Sequence, residues 1–112
     1  MIIVTGSVVV QEAHLAQALA LSLEHVRRSR AEGGCLAHAV HQDVENPLRL
    51  VFLEEWADQA SLAAHFAVPA SRAFVRALGA LAVEPPNMQV WPRPHEVHAC
   101  ALAPHAVLLL PS

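Results

Sequence analysis

The spacing of apolar and polar positions changes period several times along the chain, and each change marks an element. Residues 2–10 are rich in β-branched side chains, with Ile2, Val4, Val8 and Val10 on one side and Ile3, Thr5, Ser7 and Val9 on the other. This reads as a strand buried on both faces. From Glu12 the period becomes helical, with Leu15, Leu19, Leu23 and Val26 in one narrow arc. Arg27, Arg28 and Arg30 suit the negative end of that helix, and Gly33-Gly34 predicts its stop near Glu32. Residues 35–42 return to a strand pattern, with Leu36, His38 and Val40 on one face. Asp43-Val44-Glu45-Asn46-Pro47 reads as a turn. Arg49 to Trp56 then places Leu50, Phe52, Glu54 and Trp56 together on one face of a third strand.

Asp58 stands where an N-cap is needed, ahead of a helical stretch in which Leu62, His65 and Phe66 share a face. Pro69 interrupts it. A second helical piece follows, with Ser71 as a candidate cap and Phe74, Ala77, Leu78 and Leu81 as its apolar stripe. Pro85-Pro86 closes that piece, and Met88 to Trp91 forms a short fourth strand. The order strand, helix, strand, strand, helix, strand predicts an α+β fold of the ferredoxin-like split βαβ kind, with the helices on one face of an antiparallel sheet. The other sheet face has no element to cover it, so a homodimer is expected, sheet against sheet. Residues 1–92 form the predicted domain. Residues 93–112 carry two apolar segments and are expected to pack as an arm or extra strand, on the domain or on the dimer partner.

Composition narrows the class. Of 112 residues 54% are apolar and 15% charged, which excludes disorder and low-complexity sequence. Only five are aromatic, none of them tyrosine, against 21 alanines. A core so thin in a chain this short suggests that part of the apolar excess serves an interface. Seven arginines against ten acids give a formal charge of −3 and no basic patch, so nucleic acid is not an expected partner. The apolar start lacks a signal-peptide pattern and residues 106–110 are too few to span a bilayer, so no membrane role is expected. Cys35 and Cys100 are then expected as reduced thiols in the cytoplasm.

Gly33-Gly34-Cys35-Leu36, the Asp43–Pro47 turn, Leu53-Glu54-Glu55-Trp56-Ala57-Asp58, and His65 four residues before Pro69 together resemble the antibiotic biosynthesis monooxygenase domain over roughly residues 1–92. The resemblance implies a dimeric α+β barrel with a ligand pocket between sheet and helices. Within the group it points to, related proteins oxidise anthrones or quinols by molecular oxygen without metal or flavin, open haem rings, or process a small signalling sugar, and the fold alone does not choose among them. Trp56 matches a pocket tryptophan of the polyketide-anthrone oxygenases, and His41 falls where one of them has a histidine. Their pocket asparagine is Phe52 here and their helix-two tyrosine is Leu62, while Arg76 lies within one residue of a family arginine. Haem-opening relatives fit less well, because no histidine falls near residues 74–76.

Oxygenation of this kind needs a base, an apolar pocket and donors for an oxyanion. His65 is the first candidate base, since a partly desolvated imidazole titrates near neutrality; the plainer alternative is a histidine that hydrogen-bonds the loop at Pro69. Glu54 faces inward with Phe52 and Trp56, where burial would raise its pKa and suit it to act as base or anchor. A buried acid with a structural partner is the alternative. Trp56 is a stacking platform or a packing residue, Arg76 an oxyanion holder or a solvated surface group, and Phe52, Phe66, Leu62 and His41 complete the expected substrate-binding set. His38 and His41 lie three apart on a strand and so point to opposite faces. His95-x-x-His98 with Cys100 and His105 forms no recognisable zinc pattern, and no metal is expected. The leading expectation is a cofactor-independent monooxygenase acting on a small phenolic, anthrone or quinol-type aromatic. The alternatives are a non-catalytic ligand-binding dimer and an acid–base isomerase or lyase on a small hydroxy-carbonyl compound.

Overall fold

Four strands pair into one antiparallel sheet because each carries a period-two pattern with β-branched or aromatic side chains on its inner face. The computed structural model describes residues 1–92. Strand β1 (Ile2–Val9) leads through a single 3-10 turn (Glu12–His14) into helix α1 (Leu15–Ser29). Strands β2 (Cys35–Gln42) and β3 (Arg49–Trp56) form the expected hairpin. Helices α2 (Gln59–Ala67) and α3 (Pro69–Leu81) follow, then β4 (Asn87–Pro92). The sheet order β2-β3-β1-β4 puts β1 in the interior, between β3 and β4. The expected split βαβ topology is present, and among the described residues no helix is long and apolar enough to cross a membrane. The arm expected at 93–112, with Cys100 and the histidines at 95, 98 and 105, lies outside the described residues.

Local chemistry accounts for the helix ends. The Asp58 carboxylate accepts the Ser61 N–H at 2.8 Å, the N-cap that its position foretold. Pro69 opens α3 at its first turn, where a missing N–H costs nothing. Val68 is therefore the cap, and Ser71, expected in that role, is buried inside the helix. Gly34 has φ of 81°, and a Cβ there would run into the Ser61 side chain, so only glycine fits this turn into β2.

Helix α1 departs from the expected phase. Its buried residues are Ala18, Ser22, His25, Val26 and Ser29, while Leu23 is exposed. The inward face is thus rotated by about 70° from the leucine arc at 100° per residue. Small side chains at 18, 22 and 29 fill the inward face, and the leucines at 15, 19 and 21 pack along its flanks. Strand β2 departs as well. A bulge between Cys35 and Ala37 turns Leu36 out to solvent, and from there His38 and Val40 resume the inner face.

The core is split in two. Val8, Val10, Ala18, Val26, Leu50, Phe52, Leu78 and Leu81 form the larger apolar cluster, and Ile2, Val4, Trp56 and Leu62 the smaller. Cys35, a free thiol, packs against the smaller one as expected of a small apolar residue. On β3 the inner face runs from Phe52 in the first cluster to Trp56 in the second. The residue between them is Glu54.

Candidate functional site

Strand register delivers the first contact of the site. Glu54 of β3 is paired with His38 of β2, so both side chains point inward from adjacent strands. His38 Nε2 lies 3.3 Å from Glu54 Oε1, a long contact that still favours the ionised carboxylate, and Nδ1 of this fully buried imidazole has no hydrogen-bond partner. The indole Nε1–H of Trp56, two residues along the same face, donates to the same oxygen at 2.9 Å. From α2, His65 brings Nε2 to 3.8 Å of it. Burial alone would push the Glu54 carboxyl up; the adjoining His38, the Trp56 donor and His65 together outweigh it. The net direction is downward, so Glu54 is an ionised carboxylate and not the raised acid expected from its apolar neighbours.

Two further residues complete the cluster. Glu32, in the loop after α1, accepts from His65 Nδ1 at 2.9 Å; a carboxylate has no proton to give, so Nδ1 is the donor. His25 projects from α1 into the same space, its ring stacked on Phe74 at 4.0 Å. Its Nδ1 accepts from the Arg28 guanidinium at 3.0 Å, which leaves the ring proton on Nε2. Desolvation, reinforced by His38, His65 and Arg28, lowers the His25 pKa to about 3. The rings of His25, His38 and His65 lie 5.2–5.7 Å apart, and one nitrogen from each falls within 4.8 Å of the others.

A cavity of about 490 Å³ opens beside this cluster, between the sheet and α3. Gly6 helps to make the room: it occupies the inner-face position of β1 between Val4 and Val8, opposite Phe52 and Met88, and has no side chain to fill it. His25, Glu54 and His65 border the cavity at one end, Phe52, Phe66, Phe74, Leu78 and Met88 supply apolar walls, and Arg72 and Arg76 reach it from the exposed side of α3.

Of the residues singled out from sequence, His65, Glu54, Phe52, Phe66 and Arg76 meet at this cavity. Trp56 does not. It lies beneath the site, fully buried, 4.5 Å from the His65 ring and bonded to Glu54, so it holds the carboxylate and offers no face to a ligand. Leu62 is buried in the smaller apolar cluster, and His41 is exposed on the opposite face of the sheet. His25 and Glu32 went unrecognised in the sequence. His25 sits outside the leucine arc, and Glu32 in a loop whose path depends on the Gly34 turn.

Residues 1–77 match the antibiotic biosynthesis monooxygenase family. The chain belongs to that family. A crystal structure of an antibiotic biosynthesis monooxygenase is similar in fold, with a TM-score of 0.78 and 27% identity over 83% of this chain and 98% of that one. PA3566 from Pseudomonas aeruginosa gives 0.74 and 25%, covering 82% and 92%. A conserved protein from Methanosarcina mazei Go1 shares the fold, with a TM-score of 0.77 at 24% identity, covering 80% and 89%. In sequence the chain is also 28% identical over 90 residues to the uncharacterized protein sll1783 of Synechocystis sp., covering 80% of this chain and 61% of that relative's length. The monooxygenase resemblance read from the motifs is thereby shown at the level of family and fold.

The neutral His25 sets a pH dependence. Unfolded, its imidazole binds a proton below about pH 6.5; folded, it resists protonation down to about 3. The unfolded state therefore holds more protons in that window, and stability falls as pH falls through it, by at most about 1.4 kcal/mol per pH unit. Urea unfolding at about pH 7 and pH 5 is expected to show this loss, and a His25→Phe chain, which keeps the stack on Phe74, is expected to lose less. Equal losses in the two chains would contradict the assignment.

Proposed function

We propose that this antibiotic biosynthesis monooxygenase family member oxidises a small phenolic, anthrone or quinol-type aromatic with molecular oxygen in the cavity beside His65. The observation that carries the reading is the His65–Glu32 pair at the wall of a largely apolar cavity. A base oriented by a second group at the edge of the substrate space is the arrangement general-base catalysis uses. His65 Nε2 takes the phenolic proton and Glu32 stabilises the resulting imidazolium. Arg76, reaching the cavity from α3, balances the phenolate oxygen. The apolar walls supplied by Phe52, Phe66 and Phe74 keep the electron-rich anion poorly solvated where oxygen meets it. For an anthrone the ring CH2 becomes a carbonyl; one oxygen atom enters the product and the other leaves as water with the two hydrogens, so the substrate supplies every electron. Glu54, ionised and held by Trp56, places a negative charge within 3.8 Å of His65 Nε2.

Oxygen-electrode assays with anthrone and hydroquinone substrates test this. Uptake is expected, with kcat lowered about 10²–10⁴-fold in His65→Gln. Uptake no greater than that of the His65→Gln control would defeat the reading, and turnover under strict anaerobiosis would assign an isomerase or lyase instead.

We infer in addition that the protein is a homodimer through the outer sheet face. Ile3, Val9, Ala37, Ala39, Val51 and Trp91 lie there only partly covered, and Leu53 is 42% exposed. An apolar sheet face of this extent favours burial against a second copy. Light scattering at micromolar concentration is expected to give twice the chain mass; the mass of a single chain would overturn the inference.

A further inference from the structure

We propose that His25, His38 and His65, with the Glu54 carboxylate, form a binding site for one divalent first-row transition-metal ion. The donors suit such an ion: imidazole nitrogens and a carboxylate are the ligands of zinc and of the non-haem iron sites. They come from four different elements, α1, β2, α2 and β3, and all four side chains are buried. No sequence spacing reveals such a set, because each element contributes a single donor.

Three observations point to a cation among these groups. Glu54 Oε1 is approached by His38 Nε2 at 3.3 Å and His65 Nε2 at 3.8 Å, yet His65 commits its ring proton at Nδ1 to Glu32. In the singly protonated ring the Nε2 lone pair therefore faces a carboxylate, a repulsion that a bound ion would turn into two bonds. The buried His38 ring has no hydrogen-bond partner at Nδ1 and only the long 3.3 Å contact to Glu54 at Nε2, so a fully buried polar ring is left poorly satisfied unless something ligates it. Glu32 on His65 Nδ1 also reproduces the outer carboxylate that orients metal-bound histidines.

The fit needs modest closure. Metal–nitrogen bonds of about 2.0–2.1 Å in a tetrahedral site set the nitrogens about 3.4 Å apart, so the three histidine nitrogens, all within 4.8 Å of one another, would close by at most about 1.4 Å. Ligation by His25 Nε2 moves its proton to Nδ1, and Arg28 must then turn away. Its NH1 already lies 3.7 Å from the exposed Glu24 carboxylate, towards which it can turn. Because His25, Glu54 and His65 border the cavity, the ion would present Lewis acidity to an oxygen atom entering from it. The ion would take the same Nε2 lone pair that the base reading assigns to His65. The inference therefore stands beside that reading and not upon it, and its test uses no substrate.

The test is titration of the chelator-treated full-length protein with Co²⁺, read by visible absorption and by the indole N–H resonance of Trp56, whose nitrogen is 2.9 Å from Glu54. One equivalent is expected to bind with a tetrahedral-type spectrum and to broaden or shift that resonance. His38→Gln and His65→Gln are expected to lower the affinity at least about 10-fold. A chain carrying His95→Ala, His98→Ala, Cys100→Ser and His105→Ala together is expected to bind as the parent does. No binding at 100 µM Co²⁺, an unperturbed Trp56 indole, or binding that disappears with the 95–105 substitutions would each overturn the proposal. The wild-type indole signal decides the matter even if the histidine variants fail to fold.

Discussion

A buried carboxylate governs the interior of this protein. Glu54 occupies the inner face of β3 between two apolar clusters, where an isolated charge would cost several kcal/mol. Its Oε1 is met by the Trp56 indole at 2.9 Å, by His38 at 3.3 Å and by His65 at 3.8 Å. Each of these groups has consequences further out. Trp56 is drawn beneath the site and away from the cavity. His65 is turned so that Nδ1 meets Glu32, which ties α2 to the loop leaving α1. His25 completes the ring of imidazoles from α1, kept neutral by desolvation and by its basic neighbours. The polar centre thus splits the core, and the cavity lies against it.

Much of the fold was legible from residue spacing. The period-two runs placed the strands, Asp58 marked the start of α2, Pro69 separated α2 from α3, and the alternation in β3 put Phe52, Glu54 and Trp56 on one inward face. Helix α1 was harder because two stripes compete on it. The leucines form the more hydrophobic arc, but the small residues Ala18, Ser22 and Ser29 lie closer to the sheet, and His25 goes inward with them. A hydrophobic pattern ranks side chains by polarity and is blind to how small residues share a face with a single buried histidine.

The site was legible only in part, for a related reason. His65 and Glu54 stood out by residue type and face, and with Phe52, Phe66 and Arg76 they border the cavity. Cross-strand pairing of His38 with Glu54 depends on the register of the hairpin, and the bulge at Leu36 shifts that register by one residue. Glu32 reaches His65 from the loop that the left-handed Gly34 turns into β2, where no helical or strand periodicity places it. His41, Leu62 and Trp56 were carried over by family position, but a matched position does not ensure a matched pocket: His41 lies on the other sheet face, Leu62 is core, and Trp56 serves Glu54.

The account rests on the proton positions within this cluster, and they are directly observable. Long-range proton–nitrogen correlation spectra of the histidine rings, recorded from about pH 7 to pH 5, read each tautomer and its charge. The expected result is a His25 ring that stays neutral with its proton on Nε2 across the range, together with a His65 Nδ1 proton protected from exchange by Glu32. A His25 ring that titrates near pH 6.5, or a His65 ring carrying its only proton on Nε2, would contradict the arrangement on which the reading of this site depends.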